Sequence, residues 1–499
     1  MRTISLVLVL SSMVTAALAQ SDAPKTRAVA LADCVQQALE HNLDLQIERY
    51  NPQIALFNLR GAYADFDPIF SISGAHNNSR SGGGIDPTTK LPLPASNTDQ
   101  NGFNSSLGGL GLFGLNYSLQ GNISEAYGTA GGFPYDSTRG AALINLKQPL
   151  LKNFWIDASR LNIRVSKLAL KQSEWKLRKA IMDVSTSVEL AYFDLIYARE
   201  SVKVLEKAVE LAGQLVRENK KRVEVGTMAP LDEKQAESQE ATSRADLLQA
   251  QRALAASENA LKRLITDNFA ELQPVELRPT DPLTTVAQDF DLQSSWSRGL
   301  TQRPDLQQSK LALERLGVEL KYNRNQLYPE LDLTGTYGHS AGGANIHEFS
   351  QGFEELRLGN KPFYSYGAQL TLPLGNTGAR NRYRVSKLGL QQMILEVKKL
   401  EQDIMVQIDD AIKLAKASNE RIKATREARE YAEAALLAEQ KKLENGKSTG
   451  FEVLRVQRDL TSARSDEIRA QTEYRRNLAQ LSLFEAGTLD RLGINLEVK

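Results

Sequence analysis

The heptad RVSKLAL occupies residues 164–170, and RVSKLGL occupies residues 384–390, so that six of seven positions are identical. At the same offset of 220 residues, Gly226 corresponds to Gly446, and the alignment needs no gap between about 164 and 265. Chance matches between common residues do not keep one register for about a hundred positions. The chain therefore contains two copies of one unit in this region.

A second correspondence lies upstream. ALEHNLDLQ at 38–46 matches GLTQRPDLQ at 299–307 with an offset of 261 residues. Because the two offsets differ by 41 residues, the first copy carries about 41 additional residues between positions 68 and 164. Within that interval, the stretch 79–102 is rich in Gly, Pro and Ser, which predicts a loop.

Each copy contains a very long helical pattern. Residues 157–222 and 380–444 lack proline, and Leu, Val, Ala and Ile recur there at spacings of three and four. A helix of this length spans roughly 100 Å at 1.5 Å per residue. A globular domain cannot enclose such a helix, so these segments should pack side by side as antiparallel coiled coils.

Each long helix is followed by a short break. VEVGTMAPLDE (223–233) and LENGKSTGFEV (443–453) place a glycine just past the helix, where a left-handed cap is favoured. Pro230 suits a first helical turn, and Thr449 and Glu452 have capping-box spacing. Both breaks are therefore predicted to be tight helical hairpins.

Three segments alternate between apolar and polar residues. They are 139–150, 331–338 and 362–375, and Leu143 breaks the pattern in the first. One apolar and one polar face is typical of a transmembrane β-strand. A half-buried soluble sheet has the same pattern, but helices ~100 Å long leave no evident globular core to cover it. We therefore expect membrane strands.

A further alternating segment, GLGLFGLNYSLQGNIS at 109–124, has no counterpart in the second copy. Either residues 101–124 add strands to the sheet, or they form a hairpin outside the membrane. Two strand pairs make at most four to six strands per chain, with about four expected, and these are too few to enclose a channel. Because open strand edges are costly in lipid, several identical chains should share one barrel, and three copies of four strands would make twelve.

Composition excludes other classes. The net charge is +1, with 61 basic and 60 acidic residues, which argues against a nucleic-acid-binding protein. Residues 1–19 resemble a secretory signal peptide ending in Ala17-Leu18-Ala19, so we expect an exported protein. The only cysteine, Cys34, cannot form an intramolecular disulfide.

The sequence contains no motif that indicates a cofactor site, a metal site or a catalytic site. GLGLFG (109–114) precedes a strand pattern and not the helix that a dinucleotide fingerprint needs. The four histidines lack metal-ligand spacing, and two of them lie in the predicted external loop of the second copy: His41, His76, His339 and His347. We therefore expect neither a cofactor, nor a metal site, nor an enzyme.

These features together resemble the TolC-like outer-membrane factors of Gram-negative bacteria. The resemblance covers almost the whole mature chain and includes RPDL at 303–306, LYPELDLTGTYG at 327–338 and KQPLL at 147–151, as well as the paired hairpins. It implies an α+β membrane protein that forms a homotrimer. Twelve strands would form an antiparallel β-barrel in the outer membrane, and the coiled-coil helices of two tandem repeats would form a periplasmic α-barrel.

The resemblance also implies a division of the chain. The segments are a signal peptide (1–19), a periplasmic helical segment (20–65), outer-membrane strands with an extended extracellular loop (66–150), a long hairpin (151–266), a linker (267–290), a second helical segment (291–326), further outer-membrane strands (327–375), a second long hairpin (376–487) and a C-terminal tail (488–499).

Members of this family serve as exit ducts of tripartite efflux or type I secretion systems. Their partners are a periplasmic adaptor, or membrane fusion protein, and an inner-membrane transporter of the RND, ABC or MFS type. They conduct drugs, metals, small molecules or proteins, and the hairpin tips close like an iris. The adaptor would dock at the two tips, here Val225, Gly226 and Thr227 and, in the second copy, Gly446, Lys447 and Ser448.

Family members often carry acidic residues just inside the tip, where three copies form a ring that favours cations. Glu452 is the matching residue, and Asp232 is its equivalent in the first copy. Arg455 departs from the family pattern: it would either pair with Glu452 and lock the closed state, or weaken cation selectivity. Simple helix capping also accounts for Glu452.

A periplasmic coiled-coil adaptor or scaffold is the alternative function. Adaptors also contain long helical hairpins, although usually one per chain. Two hairpins and two strand pairs favour the duct.

Overall fold

The computed structural model describes residues 26–130, 132–283, 288–343 and 346–494. The signal peptide predicted at 1–19 lies outside the described residues, as does the end of the predicted tail.

The described residues contain long helices and one large sheet. The helices are α1 (Leu31–His41), α2 (Leu43–Gly61), α3 (Ala158–Glu224), α4 (Pro230–Ile265), α5 (Phe269–Leu272), α6 (Leu292–Gln302), α7 (Pro304–Asn325), α8 (Phe349–Leu358), α9 (Thr377–Glu444), α10 (Gly450–Phe484) and α11 (Thr488–Arg491). The strands are β1 (Thr26–Val29), β2 (Ile69–Ser81), β3 (Gly84–Ile85), β4 (Pro92–Leu93), β5 (Ser96–Leu110), β6 (Asn116–Ala130), β7 (Phe133–Pro149), β8 (Glu276–Pro279), β9 (Glu330–Gly342) and β10 (Pro362–Thr371).

Two helices dominate the molecule, as the proline-free patterns predicted. Helix α3 has 67 residues and α9 has 68, so each spans roughly 100 Å. The carboxylate of Asp157 starts α3 by accepting a hydrogen bond from the amide of Arg160 at 2.7 Å. Each long helix then turns back into an antiparallel partner, α4 or α10, and forms a helical hairpin.

The helices lie side by side in one layer. The part nearer the sheet, here called the upper helix layer, has the order α2–α3–α7–α9, and the part nearer the hairpin turns, the lower helix layer, has the order α4–α3–α10–α9. Small residues such as Ala236, Ala415 and Ala470 are fully buried along the contacts. Within the described part of the chain, no helix is both long enough and apolar enough to cross a membrane.

The large sheet has six antiparallel strands in the order β10-β9-β7-β6-β5-β2. The expectation of about four strands per chain is therefore wrong for the described residues. The difference comes from β5 and β6, which contain most of residues 101–124. These residues add two strands to the sheet.

The predicted loop at 79–102 is shorter than its composition suggested. Strand β2 continues to Ser81 and β5 begins at Ser96, so only residues 82–95 connect them. Polar cross-strand bonds hold these strand ends together, for example from Asn78 Nδ2 to Asp99 Oδ1 at 2.5 Å. The prediction that His339 lies in an external loop is also wrong, because His339 lies within β9, whereas His347 does lie between β9 and β10.

A small core holds the start of the chain against the middle of α3. Strand β1 pairs in parallel with β8, which lies inside the predicted linker at 267–290. The hydroxyl of the fully buried Tyr192 donates to Asp281 at 2.6 Å and lies 3.1 Å from the carbonyl oxygen of Val29. Cys34 is buried in the same cluster. The start of the chain is thus fixed to the linker and to α3.

Candidate functional site

The large sheet has an apolar face that crosses all six strands. One row of mutually paired residues, read across the sheet, consists of Phe70, Leu107, Leu119, Ile144, Tyr337 and Tyr364. Each of these side chains is between 37% and 75% exposed in the single chain. A continuous exposed apolar row is costly in water, so this face is built to contact an apolar environment.

The opposite face of the sheet is polar. In one row, the Asn145 side chain accepts a hydrogen bond from the Thr336 hydroxyl at 2.8 Å and donates to Ser118 at 3.4 Å. Leu143, which broke the sequence pattern, lies on this face opposite Gly338. A Cβ at position 338 would lie 2.6 Å from the Leu143 Cβ, so the leucine occupies the space that the glycine leaves.

A charged cluster lies on the polar face at the end nearest the helices. Lys147 Nζ lies 2.7 Å from a carboxylate oxygen of the buried Asp332 and 3.6 Å from Glu330. Lys152 lies 3.7 Å from the same Glu330. The cluster has no local sequence signal, because Lys147 and Lys152 are far along the chain from Glu330 and Asp332.

The sheet and the helix layer both end in elements without a neighbour on one side, within the described residues. In the sheet these elements are β2 and β10, in the upper helix layer α2 and α9, and in the lower layer α4 and α9. Helix α2 presents a stripe of residues more than half exposed: Leu43, Ile47, Tyr50, Ile54 and Phe57. Their spacing of three and four places them on one face.

Helix α9 presents a corresponding stripe at the other end of the layer. Val385, Leu388 and Leu395 are each at least 65% exposed. Leu388 belongs to the second heptad, and its counterpart in the first heptad, Leu168, is buried within the chain. The two heptads are therefore equivalent in sequence but not in their surroundings in a single chain.

Both hairpin turns have the predicted glycine caps. Gly226 has φ +75° and Gly446 has φ +71°, which is the left-handed region. The amide of Thr227 donates to the carbonyl of Arg222 at 2.9 Å, and the amide of Lys447 donates to that of Lys442 at 2.8 Å. The predicted docking residue Val225 is 73% exposed at its turn.

The second turn is tied to the end of α9 through Ser448, one of its predicted docking residues. The Ser448 hydroxyl donates to Glu439, which also lies 2.9 Å from Lys442 Nζ. The hydrogen bond from Ser448 and that from Lys442 lower the pKa of the Glu439 carboxyl. At neutral pH the second turn is therefore fastened by an ionised group.

The predicted gate residues lie in the first turns of α4 and α10. Thr449 Oγ1 accepts a hydrogen bond from the amide of Glu452 at 3.4 Å, as the capping-box spacing predicted. The Glu452 carboxylate lies 2.6 Å from Arg455, so the pair suggested by the sequence is present. Asp232 lies on the other hairpin, and its carbonyl accepts a hydrogen bond from Asn219 at 3.3 Å.

The structure brings Glu452 and Arg455 together, but among the described residues it shows no hydrogen bond or ion pair between them and Asp232. A groove of about 580 Å³ runs between the two hairpins above their turns, and its lining includes Gln235, Gln239, Thr242, Phe451, Gln457 and Arg458. Sequence reasoning missed this groove, because it is formed by helices from both copies.

Comparisons with known proteins agree with this architecture. The model of the family described as "Outer membrane efflux protein" matches residues 34–266 and 296–484. The cation efflux system protein CusC of Escherichia coli O157:H7 is 22% identical over 338 residues, which cover 67% of this chain and 68% of CusC. The alkaline protease secretion protein AprF of Pseudomonas aeruginosa is 23% identical over 373 residues, which cover 72% of each chain.

A solved structure shares the fold. The CmeC outer membrane channel of Campylobacter jejuni is 18% identical and superposes with a TM-score of 0.67. The superposition covers 92% of this chain and 86% of CmeC.

Proposed function

This chain belongs to the outer membrane efflux protein family, and we propose that three copies of it form an exit duct from the periplasm to the cell exterior. The chain is an outer-membrane protein that extends into the periplasm. The duct conducts passively, and an inner-membrane pump supplies the energy. The proposal therefore assigns this chain a conduit and a gate, and no reaction.

The proposal rests on the elements that lie at the two open edges of the sheet and of the upper and lower helix layers. In the sheet, the upper helix layer and the lower helix layer, the two open elements are always one from the first half of the chain and one from the second. Strand β10 of one copy can therefore pair with β2 of the next while α9 packs on α2 and α4. One head-to-tail interface would satisfy all three levels, and such an interface forms a ring when its rotation closes, as it would with three copies about a threefold axis.

The two faces of the sheet suit the wall of such a ring. In lipid, every backbone polar group needs a partner, and only closure removes the open edges β2 and β10. The apolar row with Phe70 and Tyr364 at its ends would face lipid, and the polar face with Asn145 would line the lumen.

The hairpin turns would close the other end of the duct. We assign adaptor docking to the exposed tips, which are Val225, Gly226 and Thr227 and, in the second copy, Gly446, Lys447 and Ser448. The gate consists of Glu452, Arg455 and Asp232. Three copies of the Glu452–Arg455 pair, whose oxygen and nitrogen atoms lie 2.6 Å apart, neutralise the acidic ring and hold the closed state.

The partners would be a periplasmic adaptor and an inner-membrane transporter. CusC is named for cation efflux and AprF for protease secretion, so similar chains serve different cargoes. We infer that the pump selects the cargo and that the duct accepts what the pump delivers. A periplasmic adaptor function for this chain itself is not favoured by the comparisons or by a six-stranded sheet with one exposed apolar face.

Purified protein tests both the duct and its gate. The protein should need detergent for extraction, migrate as a trimer after crosslinking and conduct in planar bilayers. In Arg455→Gln the acidic ring loses its countercharge, so the ratio of K⁺ to Cl⁻ permeability should rise. An exposed charge pair contributes about 0.2–1 kcal/mol. If each of the three acidic residues acts on the permeating ion with that energy, each changes the permeability ratio by roughly 1.4- to 5-fold.

Arg421→Gln is the matched control, because Arg421 forms an ion pair at 2.7 Å with Glu473, far along the hairpin from its turn. This control should leave ion selectivity unchanged. Recovery of the mature protein as a soluble monomer would refute the duct. A conducting trimer whose selectivity is the same in Arg455→Gln and in the parent would refute only the gate.

A further inference from the structure

We propose that the hairpin β5–β6 is part of the transmembrane wall, so that the trimer has an eighteen-stranded barrel above a twelve-helix tube. The twelve strands expected from the sequence omit this hairpin. The inference rests on the proposed trimeric duct and adds to it the size of the barrel and the position of the narrowest passage.

The hairpin is paired along its whole length. Thirteen residues of β2, Ile69–Ser81, pair in unbroken register with β5. Strand β5 then pairs with β6 from Asn97 to Leu110, and β6 pairs with β7 from Asn116 to Ala130. A hairpin lying outside the membrane would leave β2 and β7 to pair with each other, whereas here they are separated by two strands.

The hairpin also continues both faces of the sheet. Leu107 of β5 and Leu119 of β6 lie in the apolar row between Phe70 and Ile144. On the opposite face, most of the paired side chains are polar, and the pairs include Ser106 with Gln120 and Asn104 with Asn122. Apolar-out and polar-in alternation at matching heights is what lipid and a wet lumen require of a wall strand.

The turn between β5 and β6 is anchored at the helix end of the sheet. The Phe113 ring meets the Trp155 ring edge-on at 4.4 Å, and the Phe113 carbonyl accepts a hydrogen bond from Gln148 at 2.9 Å. Gly114 has φ +80°, and a Cβ there would lie 2.7 Å from the carbonyl oxygen of Asn153. The hairpin therefore reaches from the outer loops to the segment before α3, across the whole apolar band.

About midway along β6, helix α8 packs across the junction between β6 and β7. The position of a Cβ on Gly352 would lie 2.8 Å from both Ile123 of β6 and Thr138 of β7. Ile123 is only 2% exposed as a result. The turn and the middle of the hairpin are thus both held by parts of the chain that lie outside it.

The consequence concerns pore width. Barrel diameter grows roughly linearly with strand number, so eighteen strands make a barrel about 1.5 times as wide as twelve. The helix layer has four helices at each level per chain, hence twelve per trimer. The barrel is then wider than the tube requires, and the narrowest passage lies in the tube or at its tip.

Cysteine accessibility in proteoliposomes tests the position of the hairpin. In a Cys34→Ala background, Gln120→Cys should react with a water-soluble methanethiosulfonate reagent at least about tenfold faster than Leu119→Cys. Asn145→Cys and Ile144→Cys in β7 are the matched pair, since β7 belongs to the wall with or without the hairpin. Fast reaction at 119 with protection at 144 would overturn this inference alone, whereas fast reaction at both would overturn the proposed duct.

Deletion of residues 96–130 tests the width. The connection at 82–95 would then join β2 directly to β7, and each chain would keep four strands. Neutral polymers added on the outer side should be excluded at a diameter smaller by about a third. An unchanged exclusion limit in a conducting trimer would overturn the inference, and if the variant does not assemble, the accessibility pattern decides.

Discussion

Arg491→Met should lower the thermal stability of the protein, because it would leave a buried carboxylate without a countercharge. Arg491 in α11 donates from Nη1 to Glu189 Oε1 at 2.7 Å and contacts the other carboxylate oxygen through Nη2. The Glu189 side chain is 2% exposed and that of Arg491 is 36% exposed. Breaking a buried pair costs about 3–5 kcal/mol, and partial solvation of Arg491 favours the lower end, about 3 kcal/mol.

This free energy converts into a shift that can be measured. With an unfolding entropy of about 2.1 cal/mol/K per residue, a chain of 499 residues has roughly 1 kcal/mol/K. The unfolding temperature should therefore fall by about 3 °C, as followed by far-ultraviolet circular dichroism in detergent. Glu189→Met combined with Arg491→Met removes both charges and should return to within about 1 °C of the parent.

The exposed pair of Arg421 and Glu473 supplies the control. Its side chains are 48% and 41% exposed, so Arg421→Met should cost less than about 1 kcal/mol. The unpaired buried charge of Glu189 is not the cause of the loss of stability if Arg491→Met lowers the unfolding temperature no more than Arg421→Met does. The same conclusion follows if the double variant lowers it as far as Arg491→Met alone.

Three further predictions concern the tip, the thiol and pH. Gly446→Ala should lower the stability of its turn by about 1 kcal/mol, because the left-handed backbone is strained for alanine although a Cβ there meets nothing within 4 Å. Amide exchange at that turn should rise roughly fivefold. Gly389→Ala, in open space inside α9, is the control and should slow exchange there or leave it unchanged. Cys34 should resist alkylation at pH 8 until the protein unfolds, because burial raises the pKa of its thiol to about 12; rapid labelling of folded protein would contradict this. The hydrogen bond from Arg464 lowers the pKa of Glu433. This contact therefore stabilises the α9–α10 hairpin above the ordinary carboxyl pKa, and the stabilisation is lost as pH falls through the lowered pKa. Glu433→Gln should flatten the acid side of a stability–pH curve, and an unchanged curve would show that the contact does not contribute to stability.

The helices could be predicted from the sequence because their signals are local. The absence of proline, the three- and four-residue spacing and the capping chemistry of Gly226 and Gly446 all lie within a few turns of the positions that they determine. The Glu452–Arg455 pair was predictable for the same reason, since its members are three residues apart on one helix. The functions of the tip and the gate remain predictions.

The strands could be predicted only where one face is apolar. The outer ends of β2 and β5 carry polar residues on both faces, and cross-strand bonds such as Asn78 to Asp99 replace apolar contact, so the composition resembled a loop. The pairing of β1 with β8 joins residues 250 positions apart, for example Thr26 with Glu276. Short segments of four residues carry no periodic signal that indicates so distant a partner.

The hairpin β5–β6 also shows how such a wall can grow. It adds an even number of strands, so β7 still runs downward and α3 still starts on the periplasmic side. A single added strand would reverse every later crossing and deliver the first helical hairpin to the wrong side of the membrane. Evolution, or a designer, can therefore widen the proposed barrel in steps of two strands per chain without altering the helical hairpins that follow it.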